Sequence, residues 1–435
     1  MSTPLLEPTS GALSEPRQPT PGAANLLRGA YALLANTAVT GALGMLFWVS
    51  AARLYPASTV GRDTILISVM VELSVLCQLN LGNGIVKFLP GTGRAGPRAL
   101  AGVYATATLA AVLAGALFVI LAPSLSVRLS FIGGDPLLSV VFVAALAAWG
   151  IFTLQDAALT ATQRTAWLPV ENGAFGVLKL ALLPVALWVG ARNGVFVAWV
   201  VPIMLLVPAV NWLMLSRPAP VREPASVDSP LQRMGARRAL VFLSQDYAGS
   251  VLAQGTVTVL PLLVLALLGP RQSAYFAMPF TIAVAFDTFA YGACAALVVQ
   301  ASITPEHLSP LARVFTRRVL VLLAPAALLL ITAAPLVLAP FGDAYASHGT
   351  TVLRLLIAAS LVRVPLALYA AALRAEGRGV RLAGLAVILL FAALGGTVTL
   401  TPGHGIDGAA IAWLAANVLA ALAAAPGLLR LLRGS

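Results

Sequence analysis

Apolar stretches of about twenty residues, broken by glycine, proline and charge, follow one another from residue 29 to the end of the chain. About twenty helical residues cross the roughly 30 Å hydrocarbon core of a bilayer. The breaks predict twelve helices, beginning near Gly29, Asp63, Leu100, Leu137, Leu168, Gly194, Ala239, Ala274, Val314, Thr350, Val380 and Ile406. The connections are short, except for SRPAPVREPASVDSPLQRMGARR between the sixth and seventh helices.

An internal echo runs through this pattern. AALTATQR begins at Ala157 and AALRAEGR begins 214 residues later, at Ala371. At the same spacing Leu54-Tyr55-Pro56 matches Leu268-Gly269-Pro270, and Gly194 with Ala198-Trp199 matches Gly408 with Ala412-Trp413. Tryptophan occurs only seven times, so matching one carries weight that matching alanines does not. Six helices return the chain to the side it started from, so two such halves lie parallel, related by an axis along the membrane normal. The expected fold class is an all-α polytopic membrane protein with 12 transmembrane helices in two parallel six-helix lobes around a central cavity. The expected divisions are a disordered cytoplasmic tail (1–27), a first lobe (28–216), a cytoplasmic linker (217–237) and a second lobe (238–435).

Composition agrees with this reading. The chain of 435 residues is 60% hydrophobic and 10% charged, against about 25% charged in soluble proteins. The opening MSTPLLEPTSGALSEPRQPTPGAAN has no apolar core and does not read as a signal peptide. With a cytoplasmic N-terminus, 19 of the 27 basic residues fall on the cytoplasmic side and five on the other. This bias places both termini in the cytoplasm. It also accounts for most of the net charge of +12, so no nucleic-acid partner is implied. Cys77 and Cys294 lie in apolar segments and are expected to be reduced and packed.

Polar groups inside the spans carry the candidate chemistry, because burying them in lipid is costly. On the seventh helix Asp246, Ser250, Gln254 and Thr258 form one stripe, and Asn36 and Thr40 of the first helix map onto Ser250 and Gln254. They line a cavity or form helix–helix hydrogen bonds within each lobe. Glu72 and Asp287 sit one residue apart under the 214-residue spacing. Together with Asp246 they are candidates for cation coupling, the alternative being a buried ion pair. Asp156, near the cytoplasmic end of the fourth helix, reads as interfacial. The basic residues within helices are Lys179, Arg354 and Arg363. Arg363, just before Val364-Pro365, is the first choice for an anionic headgroup, since guanidinium matches phosphate oxygens bidentately. Arg354 is nine residues earlier, on the opposite face of a straight helix, and Lys179 can snorkel or pair with a carboxylate. No nucleotide-binding loop or metal-hydrolase motif is present, and GHGID (403–407) is a poor metal site, so no enzyme is expected.

The segment FWVSAARLYPASTVGRDTILISVMVELSVLCQLNLGNGIVKFLP, Phe47 to Pro90, resembles the opening of bacterial polysaccharide flippases of the multidrug/oligosaccharidyl-lipid/polysaccharide exporter superfamily. Leu81-Gly82-Asn83-Gly84-Ile85-Val86-Lys87-Phe88-Leu89-Pro90 stands where that family has a glycine-rich end followed by a basic residue and F-L-P, with Lys87 at the basic position. The resemblance implies a flippase in the bacterial inner membrane that moves polyprenyl-diphosphate-linked oligosaccharide from the cytoplasmic to the outer leaflet. It implies Na⁺ or H⁺ as the coupling ion and no other cofactor. Lys87 becomes a candidate first contact for the diphosphate, with an ordinary positive-inside anchor as its alternative. The expected partners are the lipid-linked oligosaccharide and the bilayer, with a polysaccharide polymerase and glycosyltransferases nearby; the chain is expected to be a monomer. The competing readings are a drug/cation antiporter of the same superfamily, an accessory protein of a polysaccharide assembly complex, and a glycan polymerase, for which the external loops are too short.

Overall fold

The computed structural model describes residues 39–78, 81–89, 96–162, 164–216, 252, 255–303, 308–375 and 378–433. The described residues are helical in each of the twelve expected positions, and no strand occurs among them. The first lobe holds α1 (Val39–Leu54), α2 (Ala57–Cys77) continued by the short α3 (Leu81–Phe88), α4 (Gly96–Leu125), α5 (Pro136–Ala161), α6 (Leu168–Trp188) and α7 (Gly194–Ser216). The second holds α8 (Gly255–Leu268), α9 (Pro270–Ile303), α10 (Leu308–Thr332) and α11 (Asp343–Ala375). A last helical stretch, Gly379–Arg433, breaks at Gly405 (φ 59°), giving α12 (379–404) and α13 (406–433). A positive φ is the conformation glycine adopts without strain.

Hydrocarbon explains why the chain is helical, since only a helix or a closed barrel satisfies its backbone polar groups there. Six of the described helices are long and apolar enough to cross a membrane by length and composition. A bent pair, Val319–Thr332 with Ala334–Phe341, is a seventh at an angle of 74°. The proline in that bend has a consequence elsewhere. The carbonyl of Ile331 would normally accept from residue 335, but Pro335 has no N–H. The Nε of Arg354 takes its place at 3.0 Å.

Three helices start six or seven residues earlier than the sequence reading has them: α2 at Ala57 against Asp63, α10 at Leu308 against Val314, and α11 at Asp343 against Thr350. Polar residues were read as loop, whereas the fold uses them within helices. Asp343 sits in the first turn of α11, where a carboxylate complements the helix dipole. His348 Nδ1 lies 2.9 Å from the Ala344 carbonyl within the same helix. Asp63 is fully buried and does remote work. Its Oδ1 accepts from Asn193 Nδ2 (2.7 Å), and its Oδ2 accepts from the backbone N–H groups of Val195 (3.0 Å) and Phe196 (3.2 Å). These donors open α7 and lack partners within the helix, so a side chain from α2 supplies the cap.

Two glycines at the repeat spacing both serve close packing, against different neighbours. Gly194 and Gly408, 214 residues apart, both lie where a Cβ would overlap a neighbour: the Tyr55 ring for Gly194 and the Leu400–Thr401 backbone for Gly408. The two lobes meet chiefly along α2 and α9. Gly61 lies so close to the Pro270 carbonyl oxygen and the Ala274 nitrogen that no side chain fits there. At the same end Arg53 donates to the carbonyls of Pro340 (Nε, 2.6 Å) and Ala339 (Nη2, 2.8 Å). This is the end that carries few arginines in the sequence reading.

Gly61→Val is expected to force this seam apart at a cost of about 1–3 kcal/mol. Ser273, fully buried on α9, reports the change when replaced by cysteine in a background lacking Cys77 and Cys294. Its labelling by a membrane-impermeant maleimide should rise about tenfold, since about 1.4 kcal/mol is a factor of ten. Equal labelling with and without Gly61→Val would show that the seam does not depend on this contact.

Candidate functional site

Each lobe holds a cation over the face of an equivalent tryptophan. In the second lobe, Arg363 on α11 stands 5.1 Å from the centre of the Trp413 ring on α13. In the first, Lys179 on α6 stands 3.8 Å from the centre of Trp199 on α7. Trp199 and Trp413 are 214 residues apart, but the cations come from different helices of the repeat. The shared element is the ring, whose face attracts positive charge.

The sequence reading treats Arg363 and Asp287 as separate sites, one for an anion and one for a coupling ion. The fold joins them. Arg363 Nη1 donates to Asp287 Oδ2 at 2.6 Å, and the two side chains are 11% and 9% exposed. Each therefore offsets the other's charge in the lobe interior. The pair spans 76 residues of sequence and depends on α9 packing against α11.

Lys179 has a different environment. It is 5% exposed, and the rings of Phe47 (5.1 Å) and Phe175 (4.6 Å) also surround its ammonium. Among the described residues no carboxylate reaches it. Trp149 joins the cluster, 6.0 Å from Trp199 and 5.8 Å from Phe175 between ring centres. The indole N–H groups of Trp149 and Trp199 are buried and have no acceptor among the described residues. Lys179, Trp149 and Trp199 thus form a set of donors in a wall of aromatic faces. Such a set suits an anionic or oxygen-rich ligand.

The other expected site residues are scattered. Arg354 is exposed and held by the Ile331 carbonyl at the proline bend, which gives it a structural task apart from Arg363. Glu72 is half-buried on α2. Lys87 lies on α3, its side chain outside the described part of the structure, and Asn36, Asp246 and Gln254 lie outside the described residues altogether. Cys77 is buried and free, as its apolar setting suggests.

The sequence reading missed Glu171. It is 4% exposed in the first turn of α6, beside Asn172, whose Nδ2 donates to Asp156 Oδ1 (3.3 Å) and to the Leu168 carbonyl (3.1 Å). The available signal was two acids at matching depth on consecutive helices, Asp156 just before the α5–α6 turn and Glu171 just after it.

Comparison with known proteins adds the fold. No family model and no curated protein matches the chain. Among solved structures, it is similar to the inward-facing conformation of a multidrug resistance MATE family transporter of the MOP superfamily. The TM-score is 0.64 at 15% identity, over 91% of this chain and 94% of that one. The outward-facing conformation of such a transporter gives 0.60 at 14% identity, over 94% and 96%. A MOP superfamily transporter from Pyrococcus furiosus Vc1, described by the reversed polarity of its binding pocket, also gives 0.60 at 14%, over 94% and 96%. The chain is thus a multi-pass membrane protein with the two-lobed fold of these transporters.

Removing one member of a buried ion pair strands the other, at a cost of about 3–5 kcal/mol. Asp287→Asn should therefore lower the thermal unfolding midpoint in detergent clearly, while Asp287→Leu combined with Arg363→Met recovers most of the loss. A double variant destabilised by the sum of the two separate losses would mean that the pair contributes no coupling.

Proposed function

We propose that the chain is an alternating-access flippase that moves a polyprenyl-diphosphate-linked oligosaccharide across the bacterial plasma membrane for cell-surface polysaccharide synthesis. The observation that carries this reading is the donor set of the first lobe: Lys179 Nζ with the indole N–H groups of Trp149 and Trp199, and no carboxylate against them among the described residues. A diphosphate cannot enter hydrocarbon without a cationic partner, and a sugar ring packs well on aromatic faces. In the second lobe the Asp287 carboxylate is already taken up by Arg363, which withdraws that carboxylate from a cationic drug. Arg363 stays over Trp413 with its charge offset by Asp287, so the headgroup anchor is the donor set of the first lobe.

The lobe contacts favour the same reading. Gly61, Arg53 and their partners close the arginine-poor end. With both termini cytoplasmic, that end is the outer one, and the closed seam belongs to an inward-facing state ready to load from the cytoplasmic leaflet. Alternation then requires α2 and α9 to part. A drug/cation antiporter is the second reading, favoured by the multidrug resistance transporter among the structural neighbours. Pocket polarity differs within this fold, as the Pyrococcus protein's description indicates, so fold similarity by itself does not choose between them.

The test uses proteoliposomes holding the purified full-length chain and a fluorescent polyprenyl-diphosphate oligosaccharide, with flipping read by an impermeant quencher. Lys179→Ala should slow flipping at least tenfold, as expected when a charged contact worth about 1.5–3 kcal/mol is lost. Lys179→Arg should retain part of the rate. Efflux of a cationic dye by the wild type, with no flipping of the lipid, would overturn the flippase reading in favour of the antiporter.

A further inference from the structure

The first lobe holds a second polar cluster, two turns along α6 from Lys179 and nearer the arginine-rich end. Both carboxylate oxygens of Glu171 are buried and have no hydrogen-bond partner among the described residues. A carboxylate in the first turn of a helix ordinarily draws on the free N–H groups there; Glu171 does not. Its neighbours do not neutralise it either. Asp156 on α5 lies within electrostatic reach and has the same charge sign. Tyr104 on α4 also lies within reach, and its buried hydroxyl has no partner among the described residues. Asn172 holds Asp156 in place.

The elements packed around Glu171 supply no buried counter-charge among the described residues; Arg98, at the start of α4, is exposed. Helix α7 carries no titratable side chain between Gly194 and Ser216. Helix α1 meets α6 through Val39 and Leu43 at Gly173 and Gly176, and its Arg53 is at the far end. Arg164, in the turn before α6, donates to the Met214 carbonyl (3.0 Å). Lys179 is eight residues on, about 12 Å along the helix axis at 1.5 Å per residue. An ionised carboxylate without a donor or a cation is too costly to bury.

We propose that Glu171, with Asp156, Tyr104 and Asn172, forms a proton-binding site of the first lobe, in which the two carboxylates share one proton while the lobe is closed around them. Protonation forms an O–H bond on Glu171 and removes its charge from beside Asp156. Release breaks that bond and passes the proton to water once α5 and α6 separate enough to admit it. The site deepens the reading of a gradient-driven transporter by choosing H⁺ over Na⁺, and it places the ion away from Glu72 and Asp287.

The test needs no transported substrate, so its failure is distinct from failure of the flippase assay. Infrared difference spectra of the reconstituted full-length chain, titrated between acid and alkaline pH, should show a protonated carboxyl band that shifts in ²H₂O. The band should vanish in Glu171→Gln. In Asp156→Asn, which removes the like charge, the proton should bind about tenfold more weakly. Replacing choline chloride by NaCl at constant pH should leave the band unchanged. Persistence of the band in Glu171→Gln, its removal by Na⁺, or an unchanged titration in Asp156→Asn would each overturn the proposal. Should Glu171→Gln fail to fold, the Asp156→Asn and Na⁺ measurements decide the matter.

Discussion

In hydrocarbon a peptide group or a charge without a partner is costlier than almost any packing defect, and this constraint shapes the molecule. Helices satisfy their own backbone except at their ends and at prolines, and there the chain deploys charged side chains. Asp63 reaches from α2 to cap the start of α7. Arg164 meets the Met214 carbonyl near the end of α7, and Arg354 meets the Ile331 carbonyl that Pro335 leaves without a donor. Arg53 closes over two carbonyls across the seam between lobes. Much of the charge that looks chemical in the sequence is occupied in this way.

What is left over after these tasks is informative. Among the described residues, Lys179 has ring faces, Glu171 has a like charge, and Arg363 and Asp287 have each other. Among the described residues the first lobe therefore keeps buried groups of both signs without a counter-charge, while the buried cation of the second lobe is paired. The asymmetry is set on a repeated frame: Gly194 and Gly408 each sit in a close approach, though against different neighbours, and Trp199 and Trp413 each hold a cation. Duplication explains the rings and the glycines. Divergence explains why a lysine from α6 serves one ring and an arginine from α11 the other.

The frame was legible in the sequence because it follows from hydrophobicity and periodicity. Twelve apolar runs and a 214-residue echo yield the helices and the parallel lobes without any knowledge of packing. Helix starts were misplaced where a charged or polar residue was taken for a loop, as at Asp63, whose partners are 130 and more residues away. Pairings were not legible for the same reason: nothing local joins Asp287 to Arg363. Arg354 could have been read more closely, because Pro335 in an apolar run implies a carbonyl in need of a donor. Glu171 was passed over because acids near a helix end are usually solvated, and only the fold reveals that this end is enclosed.

Helix α6 carries the two uncompensated groups of the first lobe on one rigid rod. Glu171 and Lys179 are too far apart to pair, and their directions around the axis differ by roughly 80° at 100° per residue. Each must find its partner outside the helix, the proposed proton in one case and an anion in the other. Any motion of α6 against α5 and α7 then acts on both sites together, because the helix does not stretch. Opening toward water loosens the hold on the proton and changes access to the donor set of Trp149, Trp199 and Lys179. A transporter needs this kind of link: two ligands that share no contact, yet differ in affinity between the same two states. Under the proposed function, the coupling resides in the rod and in the expense of leaving either charge bare.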